Sequence, residues 1–204
     1  ADTMLRRLGV EVEYYDPEIG AEILDLLKPN TKLIFTESPG SNTFEMQDIP
    51  AITAIAREAG IITMLDNTWA TPVYFKPLDY GVDISIHAAT KYPAGHSDVL
   101  LGTVSANEAC WETLWESYLT LGTCAGPDDV YQVLRGLRTM SGVGPWCRKK
   151  TFGLLTMFRG RFAFPILPAA VRLMCCVGMD IHWPRGFLMP PRACVSRHSR
   201  PSRS

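Results

Sequence analysis

Two residues in this chain have the types and spacing to do chemistry together. Asp66 closes the apolar run IITMLD, and Lys91 follows the run DISIHAAT about 25 positions later. A lysine amine becomes a carbonyl nucleophile when partial desolvation lowers its pKa, which is the condition for Schiff-base chemistry. A lone lysine after a strand is ordinarily a surface residue. Here the apolar approach DISIHAA, the preceding Thr90, the following Tyr92 and the small turn Ala94-Gly95 argue for a partly enclosed amine. Asp66 adds the carboxylate that would keep the pyridine nitrogen of a pyridoxal-type electron sink protonated. Hydroxyls and backbone N–H groups at strand ends or helix N-termini suit the phosphate of such a group.

Both residues must be delivered by strands that end at one edge of a sheet. Asp16-Pro17 reads as a cap with proline at the first helical position, and EIGAEILDLL then predicts a helix with Ile19, Ile23 and Leu26 or Leu27 on one face. TKLIFTESP follows as a short buried strand closed by Ser38-Pro39-Gly40. Asp48-Ile49-Pro50 opens a second helix, with Ile52, Ile55 and Ala56 at helical spacing and Gly60 at its end. IITMLD, DISIHAAT and VLLGTVSA read as further strands, with helices over about 107–121 and 128–137. This alternation predicts an α/β fold with a mostly parallel sheet flanked by helices. Such sheets bind ligands outside the carboxyl ends of their strands. Three of those ends carry polar groups: Glu37 with Ser38, Asp66 with Asn67, and Thr90 with Lys91.

The stretches ESPGS (37–41), DNTWATP (66–72), SIHAATKYPAGHSD (85–98) and RGLRT (135–139) resemble, in order and spacing, the signatures of the transsulfuration enzymes of cysteine and methionine metabolism. Four separated motifs make the resemblance specific, and it covers residues 1–141. It implies the large domain of a fold-type I enzyme, pyridoxal 5'-phosphate as cofactor and a small amino-acid substrate. By position, Lys91 corresponds to the lysine bound to the cofactor, Asp66 to the partner of the ring nitrogen, and Thr90 to a phosphate contact. The family often has serine three residues before the lysine; Ala88 stands there, a departure shared with the cystathionine β-lyases. Trp69 and the run ESPGSNTFE are also more similar to that subgroup. The implied reaction is β-elimination of L-cystathionine to homocysteine, pyruvate and ammonia, in methionine biosynthesis. Methionine or cystathionine γ-lyase and γ-synthase chemistry, or a non-catalytic pseudogene-like fragment, are the alternatives. Intact relatives are homotetramers that share active sites between subunits. The resemblance also implies flanking segments with a phosphate loop, a ring-stacking tyrosine and a carboxylate-binding arginine, so little activity is expected of this chain by itself.

Other polar residues near these motifs have plainer roles. His96 is expected to hold a turn, and His87 is weaker still as an acid or base. Glu37, Ser38, Asn67 and Trp69 are expected to shape the pocket, and Arg135 and Arg138 to tie their helix to its surroundings.

Charge divides the chain. Residues 1–144 carry 9 Lys/Arg against 20 Asp/Glu, and 145–204 carry 11 against 1. The second part mixes proline, arginine and bulky apolar residues without periodicity. It is expected to be a poorly ordered tail over 142–204, following a partial cofactor-binding domain over 1–141. A changed reading frame near 142–145 is the preferred cause. No nucleic-acid module surrounds its arginines, and the six cysteines show no CxxC pair or metal spacing. No run reaches the roughly 20 apolar residues of a membrane span. The expected address is the cytoplasm, with neither metal nor nucleic acid as partner.

Overall fold

The computed structural model describes residues 3–41 and 44–142, together with the backbone of 193–198. A short helix, Met4–Arg7 (α1), leads into Val10–Tyr15 (β1), and a 3-10 helix over Gly20–Leu26 leads into Thr31–Glu37 (β2). Next come Ile49–Glu58 (α2), Ile62–Asp66 (β3), Thr71–Tyr74 (α3), a 3-10 turn at Pro77–Tyr80 and Ile84–Ala88 (β4). Gly102–Ala106 (β5), Glu108–Leu121 (α4), Pro127–Leu137 (α5) and Ala193–His198 (β6) follow.

The strands form one sheet in the order β1-β6-β2-β3-β4-β5. The pairs β2–β3 and β3–β4 are parallel, while β5 runs antiparallel to β4, and β6 antiparallel to both β1 and β2. Four strands therefore share one direction, which is the mostly parallel arrangement expected. Because β2, β3 and β4 are adjacent and codirectional, their carboxyl ends lie at one edge.

Local chemistry explains where the helices begin and end. Asp48 caps α2 by accepting from the Ala51 amide at 3.1 Å, and Gly60 takes a φ of 65° just past the helix. Ile49, Ile52, Thr53 and Ala56 recur at helical spacing and are the buried face of α2. They meet the sheet in two places. Tyr15, Ile23, Ile34, Ile52, Ala56 and Ile61 form one core cluster, and Ile49, Leu65 and Val82 another. Each fully buried aliphatic side chain there contributes about 1.5–3 kcal/mol. Asn107 caps α4 through the Cys110 amide at 3.0 Å, and Gly122 ends it at a φ of 64°.

The structure corrects the first predicted helix. Residues Gly20–Leu26 wind as a 3-10 helix, with Ile23 fully buried as expected. Gly20 takes a φ of 53°, a left-handed value that an α-helix cannot carry, so the α-helical path predicted from Asp16-Pro17 is interrupted there. Elements appear where the sequence predicts none: α1, β1, α3 and β6. The strand predicted over VLLGTVSA is confined to β5, because Thr90 bonds the backbone of Leu101 just before it. Of the expected tail, residues 143–192 and 199–204 lie outside the described residues. Residues Ala193–His198, which show no strand periodicity, run as β6 between β1 and β2.

Candidate functional site

The residues singled out from the sequence converge on the shared carboxyl edge of β2, β3 and β4. Glu37, the last residue of β2, is in register with Asp66, the last of β3, and Asp66 is in register with Ile86 on β4. Lys91 lies in the turn that follows β4, after Ala89 and Thr90. Two adjacent parallel strand ends thus deliver the carboxylate and the amine.

Backbone-directed side chains hold this edge in place. The Thr68 amide donates to Asp66 Oδ1 at 2.9 Å, a local turn that fixes the carboxylate against its own chain. The Thr68 hydroxyl in turn accepts from the Ala88 amide at 2.8 Å, joining the end of β3 to the end of β4. Asn67 continues the ladder by donating its amide to the Ile86 carbonyl at 2.8 Å, and its side-chain Nδ2 donates to the Phe75 carbonyl at 3.0 Å. Lys91 donates its amide to the Ala88 carbonyl at 2.9 Å, and the Gly95 amide closes the turn on the Lys91 carbonyl at 2.8 Å.

The ESPGS loop is braced by a residue that sequence reasoning missed. Gln47 is buried; its amide donates to Ser38 Oγ at 3.0 Å, its Nε2 donates to the Glu37 carbonyl at 3.0 Å, and its Oε1 accepts from the Tyr15 hydroxyl at 2.9 Å. Its side chain thus ties the end of β2 to the end of β1. Thr68 was also missed, although its position two residues after an aspartate is a recognisable turn signal. Gln47 carries no such signal, because its partners are distant in sequence.

The carboxyl edge is electrostatically tuned. Burial pushes the Glu37 carboxyl up from its ordinary range, the Ser41 hydroxyl donates to it and holds it down, and the neighbouring charge of Asp66 pushes it up again. Burial pulls the His87 imidazole down, against opposing contributions from Asp66 and a hydrogen bond to the backbone of Thr68. Burial thus favours the neutral form of the His87 ring. His96 bonds the Ala94 carbonyl through Nδ1 at 2.7 Å and holds its own turn, as expected. Arg135 reaches Asp98 at 3.5 Å, tying α5 to the loop that follows Lys91.

A pyridoxal ring needs a carboxylate at one end and an amine at the other. Asp66 and Lys91 are both half-buried. Among the described residues, Lys91 has no side-chain hydrogen bond or ion pair, and one Asp66 oxygen is left over after the Thr68 bond. The ring end of the cofactor fits these residues. Next to Lys91, the Thr90 hydroxyl accepts from the Leu101 amide at 3.0 Å and donates to the Leu101 carbonyl at 3.3 Å.

Comparison with known proteins agrees with this arrangement. A family model described as Cys/Met metabolism PLP-dependent enzyme matches residues 1–142. A protein of Rhizobium johnstonii, provisionally named a cystathionine β-lyase, is 72% identical over 139 residues, covering 68% of this chain and 35% of that one. The cystathionine β-lyase of Escherichia coli is 50% identical over 139 residues, covering 67% of this chain and 35% of the enzyme. The crystal structure of cystathionine γ-lyase from Lactobacillus plantarum complexed with L-serine superposes with a TM-score of 0.65 at 32% identity. That match covers 70% of this chain and 38% of that one. The chain spans about a third of the length of the curated relatives it matches. With the carboxylate and the amine set at neighbouring strand ends, and a family match over residues 1–142 that includes both, the chain belongs to the Cys/Met metabolism family of pyridoxal-phosphate-dependent enzymes.

Proposed function

We propose that this chain carries the cofactor-holding core of a carbon–sulfur lyase that eliminates homocysteine from L-cystathionine, releasing pyruvate and ammonia, in the methionine biosynthesis of the cytoplasm. One observation carries the reading: Asp66 and Lys91 leave adjacent parallel strands at the same edge, each with bonding capacity unused by the described residues.

Bound pyridoxal phosphate supplies an electron sink for charge developing on the substrate's α-carbon. Asp66 holds a proton at the ring nitrogen. Its Thr68 bond keeps one oxygen fixed, so the other is presented without a conformational search. Lys91 would hold the cofactor, and its Nζ is the base that would take the α-proton. Its flexible stem allows one amine both tasks, while the turn from Lys91 to Gly95 fixes where that stem starts. Thr90 would help hold the phosphate through its hydroxyl, which here bonds the Leu101 carbonyl at 3.3 Å. Residues 1–141 form the cofactor-binding domain in this reading, and 142–204 an aberrant tail.

The similarity to a cystathionine γ-lyase structure favours a second reading, γ-elimination by the same residues. Purified protein given pyridoxal phosphate should gain a visible absorption band, and borohydride reduction should leave the cofactor's mass on Lys91. Lys91→Ala should lose both completely. Label found on another lysine, or a band that persists in Lys91→Ala, would sink the proposal. Any 2-oxo acid released from cystathionine then separates the two readings, pyruvate for β-elimination and 2-oxobutyrate for γ-elimination.

A further inference from the structure

The turn that carries Lys91 packs against α5, and its tightest approach is to a glycine. Gly136 is buried, and a Cβ built on it would collide with the backbone carbonyl oxygens of Pro93 and Ala94, and would lie 2.6 Å from the Ala94 carbonyl carbon. Gly136 is helical and its φ is not in the left-handed region, so conformational freedom does not explain it. Alanine is the better helix former at such a position. The glycine is there for space.

The carbonyls it faces belong to the turn that presents the amine. Lys91, Ala94 and Gly95 donate their amides to the carbonyls of Ala88, Ala89 and Lys91 at 2.9, 2.9 and 2.8 Å. A shift of Pro93 and Ala94 therefore passes directly into the backbone of Lys91. Val133, one helical turn before Gly136, is buried with Ala89, Ala94 and Val99 and fastens the same surface. Arg135 adds an exposed tie to Asp98.

We propose that Gly136 is a positioning residue for Lys91: a notch in α5 that sets how closely the turn approaches the helix and so where the amine starts. The assignment of Lys91 to the cofactor rests on the reading above, whereas the notch itself does not.

The test uses the full 204-residue chain. Amide hydrogen exchange is measured without cofactor, and borohydride trapping of pyridoxal phosphate is mapped residue by residue. In Gly136→Ala the Ala94 and Gly95 amides should exchange at least about tenfold faster, with β2 and β3 unchanged, the scale expected when a local contact is lost without global unfolding. Trapping at Lys91 relative to the other lysines should fall severalfold. Gly142→Ala, where none of the described residues lies within 4 Å of the added methyl, should leave both readouts at wild-type values.

Unchanged exchange at Ala94 and Gly95 would overturn the proposal, as would equal loosening of β2 and β3, which would make the glycine a general folding determinant. If Gly136→Ala does not fold, Val133→Ala decides, because it thins the same contact without overpacking it. Faster exchange confined to the turn supports the notch, and wild-type exchange there rejects it. If wild type takes no cofactor at Lys91 while the exchange changes as expected, the notch stands and the cofactor reading falls.

Discussion

The edge where β2, β3 and β4 end and the outer face of α4 are built on opposite plans. At the strand ends Gln47, Asn67, Thr68 and Thr90 each spend side-chain hydrogen bonds on backbone from another element. Beneath them Leu65 is fully buried against Ile49 and Val82. On α4, Trp111, Trp115 and Tyr118 stack on one another along the helix, yet Trp111 and Trp115 stay 50% and 48% exposed. Their neighbours Glu112 and Glu116 are exposed too. The first region is determined by contacts distant in sequence, the second by neighbours on one helix. Precision of position therefore belongs to the strand ends, which is where a reaction needs it.

That contrast can be broken by three measurements. Leu65→Ala should cost about 2–5 kcal/mol in denaturant unfolding, the range for truncating a buried leucine. A loss below about 1 kcal/mol would mean that the sheet beneath Asp66 is loosely packed.

The second measurement is the pH dependence of stability through His87. Its folded pKa is lowered by burial, so the unfolded chain binds the proton more readily. Stability from the neutral ring is complete above the unfolded imidazole value, about 6.5, and drains away as pH falls from there through the lowered folded value. Glu37 works with the opposite sign, since its raised pKa gives stability that is present below the unfolded carboxyl value and lost as pH rises through the folded one. Thermal melts of wild type and His87→Gln between about pH 5 and 7 isolate the first effect. Wild type should lose stability on acidification, and the variant should lose less. Parallel pH profiles would show that the ring is not held neutral.

The smallest effect belongs to α4. Trp115→Ala removes a half-exposed ring stacked on Trp111 at 5.9 Å and on Tyr118 at 5.5 Å, and should cost about 1 kcal/mol, the scale of such ring pairs. A loss as large as that of Leu65→Ala would erase the distinction between the two regions.

Much of this was legible from the order of residues because the signals are local. The Asp48 cap, the glycines Gly60 and Gly122 beyond α2 and α4, and the apolar runs of β2, β3 and β4 depend on neighbours within a few positions. Asp66 and Lys91 were legible for the same reason, each ending such a run and each inside a recognisable motif. Gly20 misled, because one left-handed glycine outweighed the apolar spacing around it and turned a predicted α-helix into a 3-10 helix.

The sequence alone singled out Asp66 and Lys91 as candidates to hold the cofactor and located β2, β3, β4, α2, α4 and α5, since these follow from residue type and short-range spacing. Only the tertiary structure decided that Glu37 lies in register with Asp66, that Gln47 and Thr68 lock the strand ends, that β6 enters between β1 and β2, and that Gly136 makes room for the lysine turn. Those relations join residues far apart in the chain. Their energies come from desolvation, hydrogen bonding and steric exclusion between surfaces that exist only after the chain has folded.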